Sequence, residues 1–193
     1  MKKGVSGGII VLVIIGLLAV FGITQYNSLA KEEQAVEAQL SQVDNVMQRR
    51  ADLIPNLVNS VKGSMGQEQK VFGDIAEARK AYGNASTDEE KIETSQALDQ
   101  SVGTLVNVIN ENYPELKSNE NVQTLMTQLE GSENRISVER KRYNEAVQTY
   151  NQKVVSFPKN IFANMMGLGK KPYFEAQPGA ENVPEVDFGN SGE

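Results

Sequence analysis

Charged side chains occupy positions where a helical heptad pattern otherwise places apolar residues. Arg50 lies on one apolar stripe, and Glu133 and Arg140 lie on a second stripe much later in the chain. A buried charge is tolerated only when it is paired, so an arginine and a glutamate facing each other across a seam predict an ion pair. The pair could set the register of two packed helices, or it could line a pocket for a ligand or partner. The candidate polar cluster comprises Arg49, Arg50, Asp52, Asn56, Glu133 and Arg140.

The residue types available to this chain exclude most catalytic chemistry. The 193-residue sequence contains no histidine, cysteine or tryptophan. Without histidine there is no Ser-His-Asp or Cys-His hydrolase site, no ordinary zinc site and no Glu-x-x-His di-iron site. A carboxylate-only metal site or a Ser-Lys nucleophile would still be chemically feasible, but no motif indicates either. We therefore expect no catalytic residue, metal or cofactor, and an enzyme is the least favoured class.

Two long stretches carry the heptad pattern that would position the polar cluster. Apolar residues recurring every seven positions, in two rows, indicate a coiled-coil-like seam. In the first stretch the rows are Leu29, Val36, Val43, Arg50 and Leu57, and Glu33, Leu40, Met47, Ile54 and Val61. In the second they are Val122, Leu129, Ile136, Tyr143, Tyr150 and Phe157, and Met126, Glu133, Arg140, Val147 and Val154.

The relative height of the polar residues follows from the helix lengths. Arg50 lies as far beyond Tyr26 as Glu133 lies before Phe157. If the two helices run antiparallel and in register, an Arg50–Glu133 ion pair is expected, because equal numbers of residues rise by equal lengths. Arg140 would then lie one heptad closer to residue 157.

A continuous apolar segment precedes the first heptad stretch. Residues 7–23 contain no charged, amide or hydroxyl side chain. A helix over residues 5–23 approaches the ~30 Å hydrocarbon thickness of a bilayer, so the segment predicts a single transmembrane anchor. The alternative is a cleaved secretory signal, with small residues near Ala30 as the cleavage site. Lys2 and Lys3 at the N-terminal side favour a cytoplasmic N-terminus and a domain outside the cytoplasm.

The proline, glycine and capping signals between the apolar stretches predict an all-α fold. The expected architecture is an antiparallel four-helix bundle with two long and two shorter helices. Helices are expected over residues 26–62, 67–82, 88–112 and 119–157, with capping boxes at 64–67 and 87–90. The predicted organisation is a short flank (1–4), the transmembrane helix (5–25), the bundle (26–157), an amphipathic segment (158–174) and an acidic disordered tail (175–193).

The amphipathic segment is expected to return toward the membrane surface. Its apolar residues fit one face of a short helix, and lysines flank it: Ile161, Phe162, Met165, Met166, Lys170 and Lys171. The segment could close the open end of the bundle, lie in the lipid headgroups, or dock a partner.

The charge distribution argues against nucleic-acid binding. The net charge is −6, and residues 172–193 contain five acidic and no basic side chains. The rest of the chain is nearly neutral and lacks basic patches interleaved with aromatic residues.

Several motifs resemble the LemA family. They are Tyr26–Leu29, Gln48–Val58, Val61–Gly63, Asn112–Leu116, Glu133–Ile136, Arg142–Val147, Tyr150–Asn151 and Phe157–Pro158, within a resemblance that covers about residues 8–174. The resemblance implies a bacterial single-pass membrane protein with an antiparallel bundle of long helices. It supplies no catalytic residues and no agreed activity, and family members have been placed on either face of the membrane.

Two functional hypotheses remain. The first is a scaffold or self-assembling interaction protein at the bacterial inner membrane, which could also shape the bilayer. Its partners would be lipid, other membrane proteins or further copies of itself, with no small-molecule substrate. The second is a ligand-sensing or signalling module that uses the polar cluster around Arg50 and Glu133.

Overall fold

The computed structural model describes residues 3–175. The predicted all-α class is confirmed, but the four-helix organisation is not, because this part of the chain forms six helices and no strand. The helices are α1 (Lys3–Val61), α2 (Gln69–Asn84), α3 (Asp88–Asn112), α4 (Pro114–Lys117), α5 (Glu120–Val155) and α6 (Lys159–Met165). Residues 1–2 of the predicted flank and 176–193 of the predicted tail lie outside the described residues.

The first helix is one unbroken element that joins the apolar segment to the bundle. It contains 59 residues, or roughly 90 Å at 1.5 Å per residue. Side chains of the apolar segment are exposed all round the helix, with Leu12 69% and Val20 60% exposed. From Leu29 onward the helix buries one stripe. The same backbone therefore passes from a wholly apolar surface to an amphipathic one without a turn.

The heptad rows form the seam between α1 and α5. All row residues on α1 are buried except Glu33. On α5 the row from Val122 to Tyr150 is buried, and Phe157, which lies beyond the helix end, is exposed. Ion pairs join Arg50 to Glu133 and Glu32 to Lys153. Because later residues of α1 meet earlier residues of α5, the two helices run antiparallel.

The next two helices, α2 and α3, start differently: α3 has a side-chain N-cap, and α2 has none. Thr87 forms the expected capping box, since its side chain accepts from the Glu90 amide while the Glu90 carboxylate accepts from the Thr87 amide. Hydrogen bonds from the backbone amides of Ser86 and Thr87 to the Glu90 carboxylate also lower the pKa of Glu90. The expected capping box at Ser64 is wrong: Met65 is fully buried, its amide donates to Val61 O, and α2 starts only at Gln69.

The end of α6 turns the chain onto α5. The amide of Leu168 donates to Ala163 O and that of Gly167 to Asn164 O, which is the Schellman pattern, and Gly167 adopts the positive φ of 69° that the motif places on glycine. The chain then runs extended along α5 as far as Phe174.

Two asparagines on α5 hold this extended segment, the C-terminal strap (residues 171–174). Asn151 donates to Lys171 O at 2.9 Å and accepts from Lys171 N at 2.8 Å. Asn144 makes the same pair of bonds with Phe174, at 2.8 and 2.9 Å. Seven helical residues rise about 10.5 Å and three extended residues span about 10 Å, so the two clamps are matched in spacing.

We expect Asn144→Ala and Asn151→Ala each to lower the free energy of unfolding by about 1–3 kcal/mol, because each removes two partly buried hydrogen bonds of about 0.5–1.5 kcal/mol. Denaturant unfolding measures the change. The control is Gln148→Ala, an exposed amide between the two clamps, with an expected effect within about 0.5 kcal/mol. Unchanged hydrogen exchange at the amides of Lys171 and Phe174 in the two variants would contradict the clamp.

Candidate functional site

Four charged residues from three helices meet in the middle of the bundle. This charge cluster consists of Arg50 on α1, Asp99 on α3, and Glu133 and Arg140 on α5. Asp99 lies between the two arginines, with Arg50 Nη1 on one carboxylate oxygen and Arg140 Nη1 2.6 Å from the other. The expected contact between Arg50 and Glu133 is present at 2.7 Å. The side chains of Arg50 and Asp99 are only 5% and 2% exposed, so the core of the cluster is withdrawn from water.

The cluster is electrically balanced. Two arginines face two carboxylates, and Arg140 Nη2 lies 3.0 Å from Ser95 Oγ on α3. Such an arrangement offsets the cost of burying each charge. It presents no surplus charge that would require an anionic or cationic ligand.

Asp99 was missed by the sequence reasoning, although it is the most buried member. It follows Ile92 by seven residues and precedes Val102 by three, so it lies on the buried stripe of α3. A signal was therefore available: an acidic residue on an apolar stripe, in a chain with two arginines on facing stripes.

Three predicted members of the polar cluster do not belong to it. Arg49, Asp52 and Asn56 are all exposed on α1. Successive helical residues turn by about 100°, so positions one before, two after and six after Arg50 point away from the seam. Asp52 instead accepts from Gln48 at 3.1 Å on the same helix. These three residues of the candidate polar cluster therefore lie away from Arg50, Glu133 and Arg140.

A solvent-open cavity of about 520 Å³ lies beside Arg50, between α3 and α5. Its walls mix polar and apolar groups, including Gly103, Asn107, Met126 and Glu130. Arg50 Nε makes no hydrogen bond, and Glu133 Oε2 approaches the guanidinium in a direction that does not form one. Among residues 7–175, no group of three or more acidic side chains is arranged to hold a metal.

Polar contacts also join α1 to the α2/α3 pair at Asp44, which lies closer to the apolar segment than the charge cluster does. The carboxylate of Asp44 pairs with Lys91 and accepts a 3.0 Å hydrogen bond from the Tyr82 hydroxyl. Burial and the Asp44 charge raise the pKa of Tyr82, so the hydroxyl stays protonated as a donor. The two helix pairs are thus linked at two heights by specific polar bonds as well as by their common apolar core.

The strap ends over the cluster. The Arg140 guanidinium lies 5.0 Å from the centre of the Phe174 ring, which also packs edge-on against Tyr143 at 5.1 Å. The Tyr143 hydroxyl donates to Pro172 O at 3.1 Å. Phe174 is buried and therefore covers one side of the charge cluster.

The amphipathic segment does not present its apolar residues on one face as predicted. Phe162 and Met166 are half-buried against the core, whereas Ile161 and Met165 point outward and are 50% and 79% exposed. In a helix the two pairs are about 100° apart, which divides the apolar side into an inner and an outer strip.

The lysines flanking α6 have different environments. Lys170 is exposed. Lys171 lies 2.9 Å from Asp88 Oδ2. Burial lowers the pKa of Lys171, but the hydrogen bond and charge of Asp88 outweigh it and leave this pKa raised. Lys171 therefore ties the strap to the start of α3.

These observations define a class of protein: an all-α chain whose helix Gly7–Val61 is, by length and composition, able to cross a membrane through its apolar part. Its heptad seam and buried charge cluster hold a bundle beside that segment. The chain belongs to the LemA family, whose family model matches residues 39–188. The resemblance seen in the sequence motifs is thus confirmed.

Three relatives span most of the chain at low identity. Magnetosome protein MamQ 2 of Paramagnetospirillum magneticum is 23% identical, covering 91% of this chain and 75% of the relative. Magnetosome protein MamQ of Magnetospirillum gryphiswaldense is 21% identical over 81% and 67%. Protein LemA of Metamycoplasma hominis is 22% identical over 92% and 79%. None of these names states a catalytic activity.

We expect Asp99→Asn to lower the free energy of unfolding by about 3–5 kcal/mol, because it removes the charge that pairs with the buried Arg50 and the partly buried Arg140. The matched control is Arg50→Met with Glu133→Leu, which removes one charge of each sign and leaves Arg140 paired with Asp99. That double variant should be as stable as the wild type or more stable. Denaturant unfolding in detergent micelles measures both.

An Asp99→Asn effect no larger than that of Arg142→Gln, which breaks an exposed pair with Glu139 worth about 0–1 kcal/mol, would contradict the structural role. A double variant that folds normally but loses function would favour the ligand-pocket interpretation instead.

Proposed function

We propose that this chain is a non-enzymatic, membrane-anchored scaffold that assembles with copies of itself or with other proteins at the bacterial inner membrane. The observation that carries the proposal is the unbroken helix α1, in which residues exposed as an apolar cylinder continue directly into the bundle seam. Such a helix couples a folded domain rigidly to a bilayer. No loop is present along it to act as a flexible tether.

Contacts of the apolar segment support a retained anchor over a cleaved signal. The ring of Phe21 packs edge-on against Phe162, with 6.2 Å between ring centres. Leu29, inside the small-residue stretch that could serve as a cleavage site, is fully buried in the core. Cleavage after Ala30 would remove both contacts from the folded domain.

The paired charges support an architectural role over a catalytic or sensing one. A balanced cluster whose Arg50–Asp99 core is buried sets register and leaves no free reactive group. The relatives named MamQ are magnetosome proteins, and we infer for this chain a comparable association with a larger cellular structure.

For orientation, we propose that the bundle lies outside the cytoplasm. Two lysines precede the apolar segment, whereas Lys31 beyond it is followed by Glu32 and Glu33. Positive charge is retained on the cytoplasmic side, so the N-terminus would face inward.

Because the chain has no native cysteine, Asn190→Cys places a single thiol in the C-terminal tail. We expect a membrane-impermeant maleimide to label this variant in intact spheroplasts. The control is labelling of the same variant after lysis, which reports the total thiol. Labelling that occurs only after lysis would place the bundle in the cytoplasm and contradict the proposed orientation.

The scaffold proposal is tested by the mass and composition of the native complex, extracted gently from its own membrane and measured by native mass spectrometry. We expect a particle of several copies, or one that contains a second membrane protein in fixed stoichiometry. Either composition fits a scaffold, and the measured composition shows whether the assembly is homomeric. A bare monomer under conditions that preserve a known membrane complex would contradict the proposal.

A further inference from the structure

An apolar patch without a partner in the described chain lies at the end of the bundle nearest the apolar segment. It consists of Phe157, Ile161 and Met165, which are 81%, 50% and 79% exposed. Ile161 and Met165 lie one helical turn apart on the outer side of α6, and Phe157 lies in the turn before this helix. A group of exposed aromatic and aliphatic side chains marks a protein or membrane interaction site, whereas single exposed hydrophobic residues are ordinary.

The height of the patch is set by direct contacts with the apolar segment. Phe162, on the inner side of α6, packs against Phe21, and a Cβ added at Gly22 would lie 3.5 Å from the Phe162 ring. Phe21 and Gly22 form the last turn of the apolar segment. When residues 7–23 span the hydrocarbon, α6 therefore lies at the boundary between acyl chains and headgroups.

The charges and aromatic residues around the patch suit that boundary. Residues 157–174 contain no acidic side chain, and Lys159 and Lys170 flank α6. Tyr26, one helical turn beyond the apolar segment, is 53% exposed. Tyrosine is enriched at membrane interfaces, and lysine is attracted to anionic headgroups.

We propose that α6 is a lipid-binding element: Phe157, Ile161 and Met165 insert into the headgroup–acyl boundary of the leaflet through which the anchor leaves the bilayer. The lysines beside them face anionic phosphates. The inner strip of α6, with Phe162, Ala163 and Met166, closes the bundle at the same time. This inference rests on the membrane anchor of the proposed function, because the anchor sets the height of α6.

The consequence is a second point of membrane contact for each copy. A single spanning helix can tilt within the bilayer, and because α1 is unbroken the bundle tilts with it. A short interfacial helix, buried about 5–10 Å into the boundary region, fixes the tilt. It also occupies area in one leaflet only.

The absence of native tryptophan permits a direct test. The full chain carrying Met165→Trp is reconstituted at low protein density into vesicles of phosphatidylcholine and phosphatidylglycerol, with and without brominated acyl chains. We expect emission shifted to the blue, and quenching by brominated lipid roughly twofold or more greater than for a tryptophan in water, because an interfacial side chain reaches the upper acyl chains. Acrylamide should quench it weakly.

Two further single-tryptophan variants make the result decisive. Gln128→Trp, on an exposed position of α5 far from α6, should be quenched by acrylamide and not by brominated lipid. Leu12→Trp, in the middle of the apolar segment, should be quenched strongly by brominated lipid. If Leu12→Trp is quenched while Met165→Trp behaves like Gln128→Trp, the lipid-binding role of α6 is wrong and the anchor stands.

If neither Leu12→Trp nor Met165→Trp is quenched, the anchor itself is wrong, and the proposed function fails with it. A Met165→Trp side chain that is shielded from acrylamide yet not quenched by brominated lipid would indicate that protein covers the patch. That result would overturn the lipid assignment in favour of a second copy or a partner.

Discussion

The antiparallel seam between α1 and α5 is the constraint on which the rest of the structure depends. Heptad rows on both helices must face each other along most of their length, and a shift by one residue would turn whole rows outward. This requirement fixes the height of every other element. It places Arg50 opposite Glu133, and it brings Phe157 to the level at which the apolar segment ends.

Much of this arrangement could be predicted because it follows from the spacing of residues within single helices. The seven-residue rows on two long helices, the cap at Thr87 and the height match between Arg50 and Glu133 all follow from spacing within single helices. The family resemblance, carried by short motifs, agreed with them. Each of these features requires knowledge of only one or two segments.

The features that were not predicted depend on three segments meeting. Asp99 becomes the centre of the charge cluster only when α3 packs across α1 and α5. The clamps at Asn144 and Asn151 require an extended chain alongside a helix, and asparagine on a helix surface carries no signal for that partner. The turn at Met65 replaced the expected cap because burying a methionine outweighs a single side-chain hydrogen bond. The two strips of α6 likewise arise from contact with Phe21, far away in the sequence.

The unbroken helix α1 also has a rotational consequence. A continuous α-helix transmits its angular phase, so the side of the apolar segment that faces a neighbour within the bilayer determines which side of the bundle faces that neighbour's bundle. One residue inserted near Ile23 would rotate the domain by about 100°, whereas seven would nearly restore its direction. In any assembly of this chain, the rotational orientation of the apolar segments about their helix axes therefore also sets the rotational orientation of the bundles.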